Sequence, residues 1–287
     1  MTTKVQIDPA IAAFFSDPNG SSVVSAMASQ IVAPMVRGED VKPEELAMGG
    51  GIRVVMFVLD RSPSMEPVGD LLLTDFNSEF VPALKAARAD DTSVLRIGGT
   101  SFSSDITPIW VCQDPTGNDL YFHELDKLPQ LTVADYNPRA GWSTALHEAI
   151  LDGTARALKF GADQQAKMGT APDIDVVILT DGRNNCDPLD PAVVKTMITG
   201  ANRTQMRFSF FYFQTDLGLK DPEVYAVDEL GIDGENVQVF KAKPNESPTD
   251  RRKRFRRMMR VMSRVSASKG TSAVQAAAAT PVVDDIV

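Results

Sequence analysis

The feature that most constrains this chain is a short, uninterrupted apolar run that ends abruptly in oxygen-bearing side chains. Residues 54–59 read V-V-M-F-V-L, and Asp60, Ser62 and Ser64 follow at alternate positions. The run is too short for a helix and does not alternate with polar residues, so it predicts a strand buried on both faces of a sheet. In open α/β sheets, ligands bind at the carboxyl ends of such strands. The three oxygen-bearing residues are therefore candidates for a binding site.

Further strand and helix patterns alternate along the chain. Strands are predicted at residues 92–102, 106–111, 174–180, 207–213 and 237–240. Helices are predicted at about 73–88, 144–159, 191–200 and 222–230. This alternation implies a parallel sheet covered by helices on both faces. Pro108 places its strand at an edge, and Gly98 and Gly99 predict a weak or bulged position in the strand before it.

Three segments resemble the loops that form the metal-ion-dependent adhesion site (MIDAS) of the von Willebrand factor A (VWA) family. They are D-R-S-P-S at 60–64, G-W-S-T-A-L at 141–146 and V-V-I-L-T-D-G at 176–182. All three occur in the family's order, and the resemblance extends over about residues 53–265. It implies a Rossmann-like α/β fold with a central, mostly parallel six-stranded sheet flanked by helices on both faces. The implied strand order is 3-2-1-4-5-6, with the strand at 54–59 central and the strand at 106–111 as the single antiparallel one.

The resemblance assigns five residues to a complete metal site. It implies that Ser62 and Ser64 bind the metal directly, and that Asp60 accepts hydrogen bonds from metal-bound water. Thr144 and Asp181 are expected to change between direct and water-mediated contact. The implied ion is Mg²⁺, with Mn²⁺ or Ca²⁺ as alternatives, because hard divalent cations take oxygen ligands. Such a hydroxyl-rich shell under-neutralises the cation, so the implied further ligand is a Glu or Asp of a protein partner.

Each of these motifs also has a purely structural interpretation. Asp60 and Ser62 could cap the following helix, and Thr144 could be the N-cap of its own helix. Asp181 and the glycine after it form an ordinary turn dipeptide. The exposed or buried state of Trp142, beside the threonine motif, stays open, since it could contact a partner or pack inside the domain.

Patterns typical of enzymes are incomplete in this chain. A haloacid-dehalogenase-type phosphatase requires a second aspartate where this chain has Ser62. A nucleophile elbow at Ser143 is unsupported because Ala145 replaces the second glycine of G-x-S-x-G. His123 and His147 are the two histidines, and His147 is expected to be a surface or packing residue. We therefore expect no catalytic residue and no enzymatic activity.

The whole-chain composition favours one domain with additional segments at both ends. The 287 residues are divided into an N-terminal extension with short helices and a glycine-rich linker (1–50), a VWA domain (51–265) and a flexible tail (266–287). A net charge of −9 argues against a general nucleic-acid or anionic-membrane binder. No signal sequence or membrane span is recognised, and Cys112 and Cys186 form no disulfide framework. Cytoplasmic localisation with reduced thiols is expected, and Cys186 is expected to be inert.

A basic segment near the C-terminus is the main departure from this acidic balance. Residues 251–264 contain eight of the 29 basic residues and no acidic one. Phe255, Met258, Met259 and Met262 share one helical face, with arginines on the other. The favoured interpretation is a helix whose apolar face docks on the sheet. The alternative is an arginine-rich surface for nucleic acid or an acidic partner.

The end of this segment, M-S-R-V-S-A-S, resembles the close of VWA proteins from bacterial tellurite-resistance and related stress gene clusters. That resemblance suggests an intracellular assembly or regulatory role beside kinase, phosphatase or AAA+ ATPase partners. One alternative is an accessory VWA subunit of a MoxR-type or chelatase-type AAA+ ATPase. A second is a nucleic-acid-associated scaffold that uses residues 251–264.

Overall fold

The apolar run at 54–59 lies in the central strand of the sheet, β1 (Ile52–Asp60). The computed structural model describes residues 51–89, 91, 93–113, 119–140, 142–168, 171–186, 189–201, 206–215, 219–267 and 271–280. The helices and linker predicted for residues 1–50 lie outside the described residues. Alternate side chains of β1 enter two separate cores: Val54, Met56 and Val58 one, Val55, Phe57 and Leu59 the other. The prediction of a strand buried on both faces is confirmed.

The other strands confirm a mostly parallel α/β sheet. They are β2 (Val94–Phe102), β3 (Ile106–Ile109), β4 (Cys112–Gln113), β5 (Asp119–Leu120), β6 (His123–Glu124), β7 (Asp173–Thr180), β8 (Met206–Phe213) and β9 (Val237–Phe240). The order is β3-β2-β1-β7-β8-β9, and β3 is an antiparallel edge strand. This is the predicted order 3-2-1-4-5-6. The sheet also has a short seventh strand, because β6 pairs antiparallel with β2, and β4 and β5 form a separate hairpin.

Helices cover both faces of this sheet. They are α1 (Glu66–Asp75), α2 (Val81–Ala87), α3 (Leu146–Met168), α4 (Pro191–Ala201), α5 (Pro222–Val224), α6 (Pro248–Ala267) and α7 (Ala273–Ala279). The buried residues of α3 and α4 belong to the core on one face, and those of α1, α2, α6 and α7 to the core on the other. None of the helices within the described ranges is long and apolar enough to cross a membrane.

Two helical segments contain a wider turn that the apolar spacing does not predict. A π-helical turn at Phe76–Phe80 joins α1 to α2, and another at Tyr225–Glu229 continues α5. The first turn brings Phe76 and Phe80 edge-on against Phe57 of β1, with ring centroids 5.7 and 5.3 Å apart. Aromatic packing of this geometry fixes the helix against the central strand.

The two glycines of β2 do not form a bulge, in contrast to the prediction. Gly98 and Gly99 pair in regular register with Met56 and Phe57 of β1. A Cβ atom on Gly98 would lie 2.7 Å from the Phe122 ring, so a side chain has no room there. Close packing over the strand explains the glycines.

The expectation of a flexible tail from residue 266 is wrong for the described part of that segment. Helix α6 continues to Ala267, and α7 begins with a capping box in which Ser272 and Gln275 exchange side-chain hydrogen bonds with each other's backbone. The side chains of Ala273 and Ala276 are buried in the same core as α6. Small alanine side chains allow close approach of helices, so this alanine-rich composition provides a packed helix.

The amino-terminal edge of the sheet carries a buried ion cluster. Arg53 of β1 and Arg207 of β8 both bind the carboxylate of Asp175, with the Nε atoms 2.7 and 2.6 Å from its two oxygens. Both guanidinium groups also donate to the carbonyl oxygen of Val265 near the end of α6. Arg207 further donates to the carbonyl oxygen of Thr271 at 2.6 Å. This cluster attaches α6 and the residue preceding the N-cap of α7 to the sheet.

Candidate metal centre

Three loops meet at the carboxyl edge of the sheet, and they bring the predicted site residues together. The hydroxyl oxygens of Ser62 and Ser64 lie 3.0 Å apart in the loop after β1. Ser64 Oγ donates a 2.7 Å hydrogen bond to Asp181 Oδ1, which follows β7. Thr144 precedes α3, and its Oγ1 lies 3.7 Å from where a Cβ of Gly182 would be. Asp60 is the last residue of β1, and the other four predicted residues lie on the adjoining loops.

Asp60 is completely buried and is held on both carboxylate oxygens. Its Oδ1 accepts a 2.7 Å hydrogen bond from the backbone N–H of Ser62, and its Oδ2 accepts one of 2.5 Å from Thr180 Oγ1. Ser62 makes no side-chain cap bond to the following 3₁₀ turn, Pro63–Met65. Its hydroxyl faces Ser64 instead, so the helix-capping interpretation does not describe this loop.

Asp181 is also fully buried, and a residue outside the predicted set contacts it. Its Oδ2 accepts a 2.6 Å hydrogen bond from Thr215 Oγ1, while its Oδ1 faces Ser64. Sequence analysis missed both Thr180 and Thr215. A usable signal existed for Thr215, because it follows β8, a parallel neighbour of β7, and thus ends at the same edge of the sheet.

Two buried tyrosines fix the backbone at the two aspartates. Tyr136 donates a 2.6 Å hydrogen bond to the carbonyl oxygen of Asp60. Tyr212 donates one of 2.7 Å to the carbonyl oxygen of Asp181, and it also accepts one from the N–H of Leu219. Burial raises the pKa of both phenols, so they remain hydrogen-bond donors at neutral pH.

The threonine loop is joined to the Asp181 loop by a reciprocal pair of hydrogen bonds. The N–H of Thr144 donates to Asn185 Oδ1 at 2.8 Å, and the N–H of Asn185 donates to the carbonyl oxygen of Thr144 at 3.0 Å. Helix α3 begins after this point, since the first helical bond runs from Ala149 to the carbonyl of Ala145. Thr144 is therefore one residue outside the N-cap position.

A second connection between these loops passes through His147 and Tyr225. His147 is buried, and its Nε2 lies 3.1 Å from the hydroxyl of Tyr225, which in turn accepts a 3.3 Å hydrogen bond from the N–H of Asn184. The position of His147 agrees with the packing role expected for it.

The electrostatics of the site favour a bound cation. Burial, and secondly the negative charge of Asp181, raise the pKa of Asp60 to about 7. Burial also raises the pKa of Asp181. In the part of the chain that the structure describes, neither carboxylate forms an ion pair with an arginine or lysine. Arg61 is adjacent in sequence, but its guanidinium binds Asp105 at 2.6 Å.

The donor set fits a hard divalent cation. Two carboxylates and the neighbouring hydroxyls are oxygen ligands of the kind that Mg²⁺, Mn²⁺ and Ca²⁺ prefer. The described residues include no cluster of three or more His, Cys, Asp or Glu side chains suited to a metal. A cation at this site would consequently depend on Ser62, Ser64 and Thr144 as well as on the aspartates.

The rim of the site carries exposed residues. Trp142 is 88% exposed, so the interpretation that it packs inside the domain is wrong. Cys186 is an exposed free thiol on the loop after Asp181. A large exposed aromatic side chain beside a candidate metal site is a suitable contact for a partner protein.

No protein-family model matches this chain, and no curated protein matches it in sequence. Its structure is similar to that of a von Willebrand factor type A protein from Catenulispora acidiphila, at 14% identity and a TM-score of 0.45 over 76% of this chain and 43% of the other. It is also similar to the ArnB paralog VWA2 from Sulfolobus acidocaldarius, at 22% identity and a TM-score of 0.36 over 59% of this chain and 37% of the other. A third similar structure is proximal thread matrix protein 1 from the mussel byssus with a zinc-occupied MIDAS motif, at 11% identity and a TM-score of 0.47 over 74% of this chain and 48% of the other. The chain thus spans less than half the length of each of these structures.

Proposed function

We propose that this chain is a VWA domain that binds a partner protein through a divalent cation. Mg²⁺ is the proposed ion, with Mn²⁺ or Ca²⁺ as substitutes, and Ser62, Ser64, Thr144 and Asp181 are the proposed direct or water-mediated ligands. Asp60 orients the water around the ion. The cation supplies a positive charge that accepts a carboxylate from the partner.

One observation carries this proposal. Two buried aspartates with raised pKa values face two serine hydroxyls, and no described arginine or lysine pairs with either carboxylate. Burial of two like charges without a counter-ion destabilises a fold, so the arrangement is best explained by a ligand that brings positive charge. The hydroxyls are neutral, and this leaves charge on the cation for an acidic ligand from outside.

Among the described residues, no arrangement at the site supports an alternative role as an enzyme. The hydroxyl of Ser64 faces the carboxylate of Asp181, and His147 is directed to Tyr225 on the other side of the loop. A nucleophile with an adjacent histidine base would require different neighbours. We therefore propose binding without catalysis.

The basic helix supports a protein partner rather than nucleic acid. Five of its basic residues form ion pairs with carboxylates of the same chain: Arg251 and Arg254 with Glu246, Arg252 and Arg256 with Asp75, and Arg260 with Glu79. Its apolar face, from Phe255 to Met262, is buried in the core. These charges are partly neutralised, and this weakens the attraction for a polyanion.

The test is metal binding by the full chain, measured by calorimetric titration with MgCl₂ and MnCl₂ after treatment with a chelator. We expect the parent to bind one ion and the Ser62→Ala/Ser64→Ala variant to bind none. At a concentration of 100 times its Kd, the cation should also raise the free energy of unfolding of the parent by about 2.7 kcal/mol. It should leave that of the variant unchanged.

Ser209→Ala is the matched control, because that hydroxyl is buried in β8 without a hydrogen-bond partner. The control should bind metal like the parent. Equal metal affinity of the parent and the Ser62→Ala/Ser64→Ala variant would show that the site is misassigned.

A further inference from the structure

A groove of about 270 Å³ opens directly beside the candidate metal centre. Its wall next to the metal loops includes Pro67, near the start of α1, and Thr215, after β8. Thr215 connects the groove to the metal site, since its hydroxyl hydrogen-bonds Asp181 Oδ2 at 2.6 Å. Thr215 is therefore shared by the groove and the candidate metal site.

The far wall of the groove is basic. It contains Lys243, Arg251, Arg254 and a single carboxylate, Glu246. Arg254 neutralises Glu246 through two hydrogen bonds of 2.7 Å, and it also donates to the carbonyl oxygens of Phe240 and Gln214. Arg254 therefore has a structural role in the wall.

The two remaining cations are placed to meet a ligand. Lys243 is exposed. Arg251 approaches Glu246 only to 3.8 Å, and its side chain is 29% exposed. Arg251 shares Glu246 with Arg254, and Lys243 lies close enough to the exposed Asp250 for their charges to interact. Three basic residues thus face two carboxylates, and this excess of positive charge is complementary to an acidic ligand.

The segment that carries Lys243 is ordered by a tight turn. The N–H of Glu246 donates to the carbonyl oxygen of Lys243 at 3.1 Å, with Pro244 and Asn245 between them. Asn245 has a φ of +55°, and proline followed by a left-handed asparagine is typical of a type II turn. The backbone that presents Lys243 is therefore fixed before any ligand binds, which lowers the entropic cost of binding.

We propose that the partner binds as an extended peptide segment carrying two acidic side chains. The first occupies the metal, as in the proposed function on which this inference rests, and the second lies between Lys243 and Arg251. An extended chain advances roughly 3.3 Å per residue, so a groove of this size accommodates only a few residues. The second acidic residue is therefore expected within a few positions of the first.

The test uses a phage-displayed library of random peptides, selected on the immobilised full chain in MgCl₂ and recovered at low pH. Enriched peptides are then synthesised, and their Kd values are measured by calorimetry in MgCl₂ and in EDTA. The measurements are made on the parent, on Lys243→Ala/Arg251→Ala and on Lys253→Ala, an exposed residue of α6 that does not line the groove.

We expect two acidic residues in the enriched peptides and no binding in EDTA. The groove variant should bind them roughly tenfold more weakly, because exposed charge pairs make modest individual contributions. Replacing the second acidic residue of the peptide by Gln should cause the same loss in the parent and little further loss in the groove variant, which identifies the pair. The Lys253→Ala control should bind like the parent.

The possible failures distinguish the two proposals. Peptides that require Mg²⁺ but bind the groove variant as tightly as the parent would overturn the groove assignment and leave the metal bridge intact. Peptides that bind equally well in EDTA, but bind the Lys243→Ala/Arg251→Ala variant more weakly, would overturn the metal bridge. They would leave the groove as an acidic-peptide site. A library that yields no enrichment on the parent in MgCl₂ would overturn both.

Discussion

The two ends of strands β1 and β7 carry buried aspartates that differ in whether basic side chains bind them. At the amino-terminal edge, Asp175 is bound by both Arg53 and Arg207. At the carboxyl edge, roughly 23 Å away along β1, Asp60 and Asp181 are buried without an arginine or lysine partner among the described residues. The same sheet therefore holds one cluster whose charges are balanced internally and one that is left acidic.

This difference separates a structural cluster from the proposed ligand-binding one. Every partner of Asp175 belongs to the chain, and the cluster attaches α6 to the sheet through the carbonyl oxygen of Val265. At the carboxyl edge, hydroxyls replace the basic residues, and burial raises the pKa values of both aspartates. A fold that can place two arginines around one aspartate could have done so at the other end, and the uncompensated pair is the basis of the proposed site for an external cation.

The largest expected effect is on stability at the balanced end. Asp175→Ala leaves the Arg53 and Arg207 guanidinium groups buried and facing each other, and we expect a loss of about 3–5 kcal/mol in the free energy of unfolding. Urea denaturation monitored by circular dichroism measures it. Asp181→Asn is the matched control and should cause no loss in metal-free buffer. Equal losses in the two variants would mean that the two ends do not differ.

The second prediction concerns the pH dependence of metal-free protein. The pKa of Asp60 is about 7 in the folded protein, against 3.8 for an ordinary aspartate. The proton on Asp60 therefore contributes stability that is fully present below pH 3.8 and is lost as the pH rises through about 7. At 1.36 kcal/mol per pKa unit, the contribution lost is at most about 4 kcal/mol.

The measurement for Asp60 is the free energy of unfolding between pH 4 and pH 8, for the parent and for Asp60→Asn. Other carboxylates titrate in both proteins, so the difference between the two curves isolates Asp60. Parallel curves would contradict the raised pKa.

The third prediction concerns residues that hydrogen-bond the site aspartates but are not themselves proposed metal ligands. Thr180→Val removes the hydroxyl that donates to Asp60 Oδ2, and we expect metal affinity to fall about tenfold, as for other residues that orient metal ligands. Calorimetric titration with MnCl₂ measures the change. Thr154→Val is the control, because its buried hydroxyl bonds the Ile150 carbonyl in α3, and it should leave metal affinity unchanged.

The smallest expected effect is at the rim. Trp142→Ala should change the free energy of unfolding by less than about 0.5 kcal/mol, since the indole is exposed. It should weaken the binding of a Mg²⁺-dependent peptide by about 1 kcal/mol in binding free energy, or roughly fivefold in Kd. Val274→Ala, an exposed apolar position on α7, is the control. If the Trp142→Ala variant binds such a peptide as tightly as the parent, Trp142 is not part of the interface.

Much of the fold could be predicted because its signals are local. Unbroken apolar runs mark β1, β7 and β8 as strands buried on two faces, and the alternation with helices implies a parallel sheet. The strand order came from the family resemblance. The π-helical turn at Phe76–Phe80 could not be predicted, because it depends on how the helix meets Phe57 across the core.

The site was only partly predictable for a related reason. Asp60, Ser62, Ser64, Thr144 and Asp181 lie in motifs that are recognisable in the sequence. Their supporting contacts join residues far apart in the chain, such as Tyr136 with Asp60 and Thr215 with Asp181. The alanine-rich segment after residue 266 was misjudged because composition alone cannot distinguish a solvated tail from a helix that packs on a neighbour.

The two phenols that hold the carbonyl oxygens of Asp60 and Asp181 have a kinetic consequence. Since the backbone at both aspartates is fixed by groups from inside the core, the loops need little rearrangement when an ion arrives. The slow step of association should then be the loss of water from the ion itself, which Mg²⁺ gives up reluctantly and larger cations release more readily. Stopped-flow mixing should therefore give association rates that rank the ions by their rate of water exchange, with Ca²⁺ and Mn²⁺ faster than Mg²⁺, whatever the order of their affinities.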